Sequence, residues 1–133
     1  MASIHKDIVI DASPNDVWDA VRDFGALHRR LVPGFVLDSR LDGEARIVTF
    51  SNGTVARELL VDSDDAKRRL VYAVVSERIK QHSASVQIFA ESDGRSRLAW
   101  IVDVLPHEIA PYIDAQMDQA ALAMQKKLGR SAA

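Results

Sequence analysis

The stretch IVIDASPNDVW, residues 8–18, joins two kinds of secondary structure and sets how the chain begins. Residues 4–10 alternate loosely and are rich in isoleucine and valine, which predicts an opening strand. Ser13 is a suitable N-cap and Pro14 suits the first helical position, so a short helix is predicted over residues 14–24. The apolar side chains that follow at helical spacing are Val17, Trp18, Val21 and Phe24.

Working outward from this stretch, Gly25 permits a break, and residues 26–31 predict a second short helix that Pro33 and Gly34 end. Short runs rich in valine, isoleucine and threonine follow, separated by turn residues. This pattern predicts an antiparallel meander of six strands over residues 35–41, 44–51, 54–62, 68–77, 83–91 and 96–105.

Beyond Pro106 the apolar period becomes helical, with Pro111 in the first turn and Gly129 as a stop signal. The predicted stripe is Ile109, Ile113, Met117, Ala120, Met124 and Leu128. The predicted order is therefore strand, two helices, six strands and a long helix. A cone of the nuclear-transport-factor type puts its helices first and its sheet last, so the terminal helix argues against that fold.

With 133 residues, 47% hydrophobic and 27% charged, the composition predicts one globular domain over residues 1–133. The net charge of −2 is too small to supply the basic field that nucleic acid or anionic membrane binding needs. The absence of cysteine excludes a disulfide scaffold and thiolate chemistry. Neither a signal peptide nor a membrane span of roughly 18 apolar residues is visible, so a cytoplasmic protein is expected.

The dipeptide Asn52-Gly53 is typical of a two-residue hairpin turn, which would pair Val48 with Arg57. Because side chains alternate along a strand, Arg46 is then expected on the same face as Arg57. The apolar members of that face are Val48, Phe50, Val55 and Leu59. Two arginines are thus predicted on the inner face of the sheet.

A three-residue loop, Ser92-Asp93-Gly94, is predicted for the last hairpin, because a two-residue loop would split the apolar residues between the faces. The predicted inner face is Ala84, Val86, Ile88, Ala90, Leu98, Trp100, Val102 and Val104. In the strand over residues 68–77, the pattern allows two alternatives for the inner face of the sheet. One is Leu70, Tyr72 and Val74, and the other is Val71, Ala73 and Val75. The pattern leaves open whether Glu77 faces inward.

The order of elements, the opening I-x-A-S-P-x-x-V-W (in this chain IDASPNDVW, residues 10–18) and Pro33-Gly34 resemble the SRPBCC or START-like superfamily, also called the polyketide cyclase/dehydrase and lipid-transport family. The resemblance covers nearly the whole chain. It implies an α+β helix-grip fold, in which a seven-stranded antiparallel sheet curls around the C-terminal helix and encloses an apolar cavity.

A finer likeness to the plant abscisic-acid receptors lies in Arg57-Glu58, in SERIK at residues 76–80 and in IVDV at residues 101–104. It implies that Glu77 belongs to the polar part of the pocket and that Trp100 lines it. The receptors' gate loop is replaced here by the short turn Ser51-Asn52-Gly53-Thr54, and their latch His-Arg-Leu by Arg78-Ile79-Lys80. Hormone-gated phosphatase inhibition is therefore not implied.

The sharpest candidate site is a polar cluster of Arg46, Arg57 and Glu77, which would hold a carboxylate, phosphate or enolate group of a ligand. The alternative is an internal ion pair, or arginines that reach to a sheet edge. The apolar wall is predicted to consist of Phe50, Trp100, Val102, Ile113, Met117 and Met124, although such a stripe also suits a solid core.

The candidate acid–base residues are His28, His82 and His107. His28 and His82 could reach a cavity mouth, but solvated loop positions are expected, since no partner stands at a diagnostic spacing. Metal ligands and a cofactor site are not expected, because no HxH, HExxH or EF-hand pattern occurs.

The resemblance favours binding of a small hydrophobic molecule with a carboxylate or keto group. A cyclase-like or aldolase-like enzyme and a protein-interaction accessory factor are the alternatives, and either a monomer or a homodimer is compatible with the sequence.

Overall fold

The fold is described by a computed structural model over residues 2–76 and 79–130. Seven antiparallel strands form one sheet in the order β1-β7-β6-β5-β4-β3-β2. The strands are β1 (Ala2–Ile10), β2 (Val36–Asp42), β3 (Ala45–Phe50), β4 (Val55–Asp64), β5 (Arg69–Val75), β6 (Gln81–Ala90) and β7 (Ser96–Leu105). The helices are α1 (Pro14–Arg22), α2 (Leu27–Arg30) and α3 (Ala110–Leu128), with 3-10 turns at Phe24–Ala26 and His107–Ile109. The predicted helix-grip order of elements is confirmed.

The opening stretch folds as its residues predict, with the first helix ending two residues early. Ile10 closes β1 fully buried, and Ser13 caps α1 by accepting a hydrogen bond from the Asp16 backbone N–H at 3.2 Å. Trp18 lies on the buried side of α1 and donates its indole N–H to Asp65 Oδ1 at 2.9 Å. This contact ties α1 to the turn that follows β4.

Replacing Ser13 with alanine is expected to lower the free energy of unfolding by about 1 kcal/mol, because an N-terminal N–H of α1 loses its acceptor. Urea denaturation measures this loss. Ser92→Ala, in the exposed loop before β7, is the matched control and should stay within about 0.5 kcal/mol of the parent protein. Equal losses in the two variants would contradict the capping role.

The hairpin between β3 and β4 corrects the predicted register by one residue. Its loop has three residues, because Gly53 adopts a φ of 88° and the Phe50 N–H donates to Thr54 O at 2.8 Å. Arg46 therefore lies opposite Glu58, and Arg57 lies opposite Ile47. The prediction that Arg57 and Leu59 share the inner face is wrong, since the one-residue shift moves both to the outer face.

The hairpin between β6 and β7 has the predicted three-residue loop, with Gly94 at a φ of 83°. Its register pairs Ile88 with Leu98 and Val86 with Trp100, so the predicted inner face is confirmed. In β5 the alternation is resolved as well, because Leu70 and Tyr72 are buried.

Helix α3 lies across the inner face of the sheet. Lys6 of β1 forms ion pairs with Asp114 and Asp118, two carboxylates one turn apart on α3. The buried side of α3 consists of Ile113, Met117, Ala120 and Met124, all members of the predicted stripe. Sheet and helix therefore face each other through apolar side chains.

Candidate ligand-binding pocket

A pocket of about 200 Å³ lies between the inner face of the sheet, the α1–α2 segment and α3. Its apolar wall includes Val21, Leu31, Val36, Phe50, Leu70, Val86, Trp100, Val102, Ile113, Met117, Ala120 and Met124. Its lining includes the exposed residues Asn52, Thr54, Val55 and Tyr112, which mark an open end of the pocket. Asn52 donates to the Tyr112 hydroxyl oxygen at 3.1 Å, which joins the β3–β4 hairpin to the start of α3.

A buried ion pair forms the charged part of the wall among the described residues. Arg46 Nε donates to Glu58 Oε1 at 2.7 Å, and each residue is only 5% exposed. The same guanidinium lies 4.0 Å from the centre of the Phe24 ring and donates to the Phe24 carbonyl oxygen at 3.3 Å. The charge of the Arg46 guanidinium is therefore neutralised by Glu58, and some of its N–H groups already donate to acceptors within the protein.

Tyr72 lies beside this ion pair, with the Arg46 guanidinium 5.2 Å from its ring centre. Burial raises the pKa of Tyr72, and the Glu58 carboxylate raises it further. The phenol is therefore protonated at neutral pH. Trp100 is a neighbour that acts in the opposite direction on the pKa of Tyr72, although its indole N–H forms no hydrogen bond.

His82 lines the pocket from β6, where it lies opposite Val104. The prediction that His82 is a solvated loop residue is wrong: β6 begins at Gln81, so His82 shares the inner face with Ala84. Burial lowers the pKa of His82, against a smaller opposing effect of Glu58, so the imidazole is neutral at pH 7. His28 is likewise half-buried, on α2, whereas His107 is exposed.

The lowered pKa of His82 gives a signed pH effect. Above the ordinary pKa of 6.5 the imidazole is neutral in both the folded and the unfolded protein. Below pH 6.5 the unfolded chain binds the proton more readily than the folded protein does, so the free energy of unfolding decreases as the pH is lowered. Urea unfolding of the parent and of His82→Gln at pH 7.5 and 5.5 measures this effect. We expect a smaller loss on acidification in the variant, and equal losses would contradict the burial of a neutral imidazole.

The sequence-predicted site residues divide into three groups. Those that line the pocket are Arg46, Phe50, Trp100, Val102, Ile113, Met117 and Met124, and their contact with a ligand stays a prediction. Arg57 is exposed on the outer face and bonded to Asp42 Oδ2 at 2.6 Å, so its predicted place in the cluster is wrong. Glu77 lies outside the described residues.

Glu58 and Tyr72 are pocket residues that the sequence did not single out for the site, and His82 is a candidate whose position in the pocket was not predicted. Within residues 2–76 and 79–130, no three His, Asp or Glu side chains gather in a way that could hold a metal ion. In the same part of the chain no helix combines the length and the apolar character needed to cross a membrane.

The seven-stranded sheet, the long C-terminal helix and the pocket between them define the helix-grip class of fold. Residues 1–131 match the family described as polyketide cyclase / dehydrase and lipid transport, and the chain belongs to that family. No curated protein is significantly similar to the chain in sequence.

Three solved structures illustrate the fold. The protein XoxI from Bacillus cereus has a TM-score of 0.85 at 20% identity, with 96% of each chain covered. A START superfamily protein from Mycobacterium smegmatis has a TM-score of 0.78 at 13% identity, covering 95% of this chain and 96% of that one. Norcoclaurine synthase from Thalictrum flavum, in complex with a transition-state analogue, has a TM-score of 0.65 at 18% identity, covering 94% and 92%. These three neighbours show that the chain shares their fold.

Proposed function

We propose that this protein binds a small hydrophobic molecule in the pocket between the sheet and α3, with one polar group of the molecule near Arg46, Glu58 and Tyr72. The observation that carries the proposal is the pocket of about 200 Å³ with a largely apolar wall. A cavity of about 150 Å³ lined by apolar side chains is sufficient to hold benzene, so this volume suits a molecule of one or two rings.

Two further features support the proposal. Met117 and Met124 contribute flexible, polarisable side chains that adapt to the shape of an apolar guest. The norcoclaurine synthase of the same fold is described with a small molecule bound, which shows that such a scaffold can hold one in that protein.

Titration with N-phenyl-1-naphthylamine, an uncharged apolar dye, tests the proposal. We expect a saturable gain in fluorescence at one dye per chain, because the pocket removes the dye from water. Native mass spectrometry of the purified protein is the companion measurement, and it should show a co-purified molecule that the dye displaces. A protein that carries no small molecule and binds no dye would contradict the proposal.

An enzyme of the cyclase or aldolase kind is the second candidate, and His82 is the observation that favours it. A neutral imidazole inside an apolar pocket can accept a proton from a bound ketone. In that case the bound compound is released chemically changed, and His82→Gln stops the change while binding persists. If the parent protein releases the bound compound unchanged, the enzyme proposal is contradicted and the carrier function is retained.

A further inference from the structure

The indole N–H of Trp100 is a buried hydrogen-bond donor that has no acceptor among the described residues. Trp100 lies on the inner face of β7 opposite Val86, and it lines the pocket. The Tyr72 side chain interacts with Trp100, but the Nε1–H of Trp100 forms no hydrogen bond. The donor is therefore left available at the pocket wall.

The second tryptophan shows what this chain otherwise does with such a group. Trp18 is 5% exposed, and its indole N–H donates to Asp65 Oδ1 at 2.9 Å. Buried indole N–H groups normally find a partner, because an unsatisfied donor in an apolar site is costly. At Trp100 the missing acceptor can be supplied by the occupant of the pocket.

The charges of the wall decide whether this acceptor is an anion. Among the described residues that line the pocket, Arg46 and Glu58 carry the formal charges, and they neutralise each other at 2.7 Å. Arg46 is also covered by the Phe24 ring and bonded to the Phe24 carbonyl. Among these described residues, a carboxylate ligand would be buried beside Glu58 while Arg46 is already paired, which is unfavourable.

We propose that the ligand is an uncharged apolar molecule whose carbonyl oxygen accepts a hydrogen bond from Trp100 Nε1. This inference rests on the proposed function and deepens it by naming the group that the pocket selects. The Tyr72 hydroxyl stands next to the same position and offers a second donor. Trp100 is then the residue that distinguishes a ketone from a hydrocarbon of the same shape.

Three naphthalene probes of similar size test the selection: 2-acetylnaphthalene, 2-isopropenylnaphthalene and 2-naphthoate. They present a ketone, a hydrocarbon isostere and a carboxylate. We expect the ketone to bind about tenfold more tightly than either of the others in isothermal titration calorimetry, as one added hydrogen bond implies. Trp100→Phe should remove this preference, so that the variant binds ketone and hydrocarbon with equal affinity. Trp18→Phe, whose indole already has an acceptor, should retain the preference.

The outcomes separate this inference from the proposed function. Equal binding of ketone and hydrocarbon, or tightest binding of the naphthoate, would overturn the inference and leave the binding function standing. Binding of none of the three would remove both. If Trp100→Phe does not fold, the indole N–H resonance of Trp100 in the parent protein gives the same information: it should move downfield with the ketone and not with the hydrocarbon.

Discussion

Glu58→Gln is expected to lower the free energy of unfolding by about 3 kcal/mol or more, because it leaves the Arg46 guanidinium charged and buried without its carboxylate. The Phe24 carbonyl and ring satisfy the guanidinium in part but do not neutralise it. Urea denaturation followed by circular dichroism measures the change.

The preceding residue, Arg57, offers a matched control for this variant. Arg57 pairs with Asp42 at 2.6 Å on the exposed outer face, so Arg57→Met should cost no more than about 1 kcal/mol. The double variant Arg46→Met with Glu58→Leu should recover most of the loss, since no charge then stays buried. A Glu58→Gln variant no less stable than Arg57→Met would contradict the buried pair.

Ala120→Phe is expected to abolish dye binding, with at least a hundredfold loss of affinity for N-phenyl-1-naphthylamine. Ala120 is 2% exposed and lies on the side of α3 that lines the pocket, so a phenyl ring there occupies the space of the ligand. Filling an existing cavity avoids much of the strain of overpacking, and we expect the free energy of unfolding to change by less than about 3 kcal/mol.

Leu122→Phe is the control for the filled pocket, because Leu122 is 61% exposed on the outer side of the same helix. It should bind the dye as the parent protein does. If Ala120→Phe folds and binds the dye with unchanged affinity, the binding site lies elsewhere.

The two glycine hairpins show why one register was predictable and the other was not. At Gly94 a two-residue loop would have split the apolar residues between two faces, so the pattern excluded it. At Gly53 the predicted two-residue loop placed the apolar residues Val55 and Leu59 on the inner face. The apolar pattern therefore gave no reason to reject this incorrect register. The structure also shows a hydrogen bond within this loop that the pattern does not indicate: the Thr54 N–H donates to Asn52 Oδ1 at 3.0 Å.

The same one-residue shift explains most of what was missed at the site. Once Arg46 lies opposite Glu58, alternation excludes Arg57 from the pocket and brings Glu58 into it. His82 was within reach of sequence reasoning, because it shares the parity of Ala84 and needed only a strand that begins one residue earlier. The unpartnered N–H of Trp100 depends on the packing of distant strands, which no local pattern reports.

Methyl resonances of the methionines test most directly that the pocket between sheet and α3 binds a small hydrophobic molecule. The chain has three methionines, and Met117 and Met124 lie in the pocket wall. With ¹³C-methyl-labelled protein, both pocket resonances should shift on titration with the dye and yield the dissociation constant obtained from fluorescence. If the dye saturates in fluorescence while both resonances stay in place, the pocket is not the binding site.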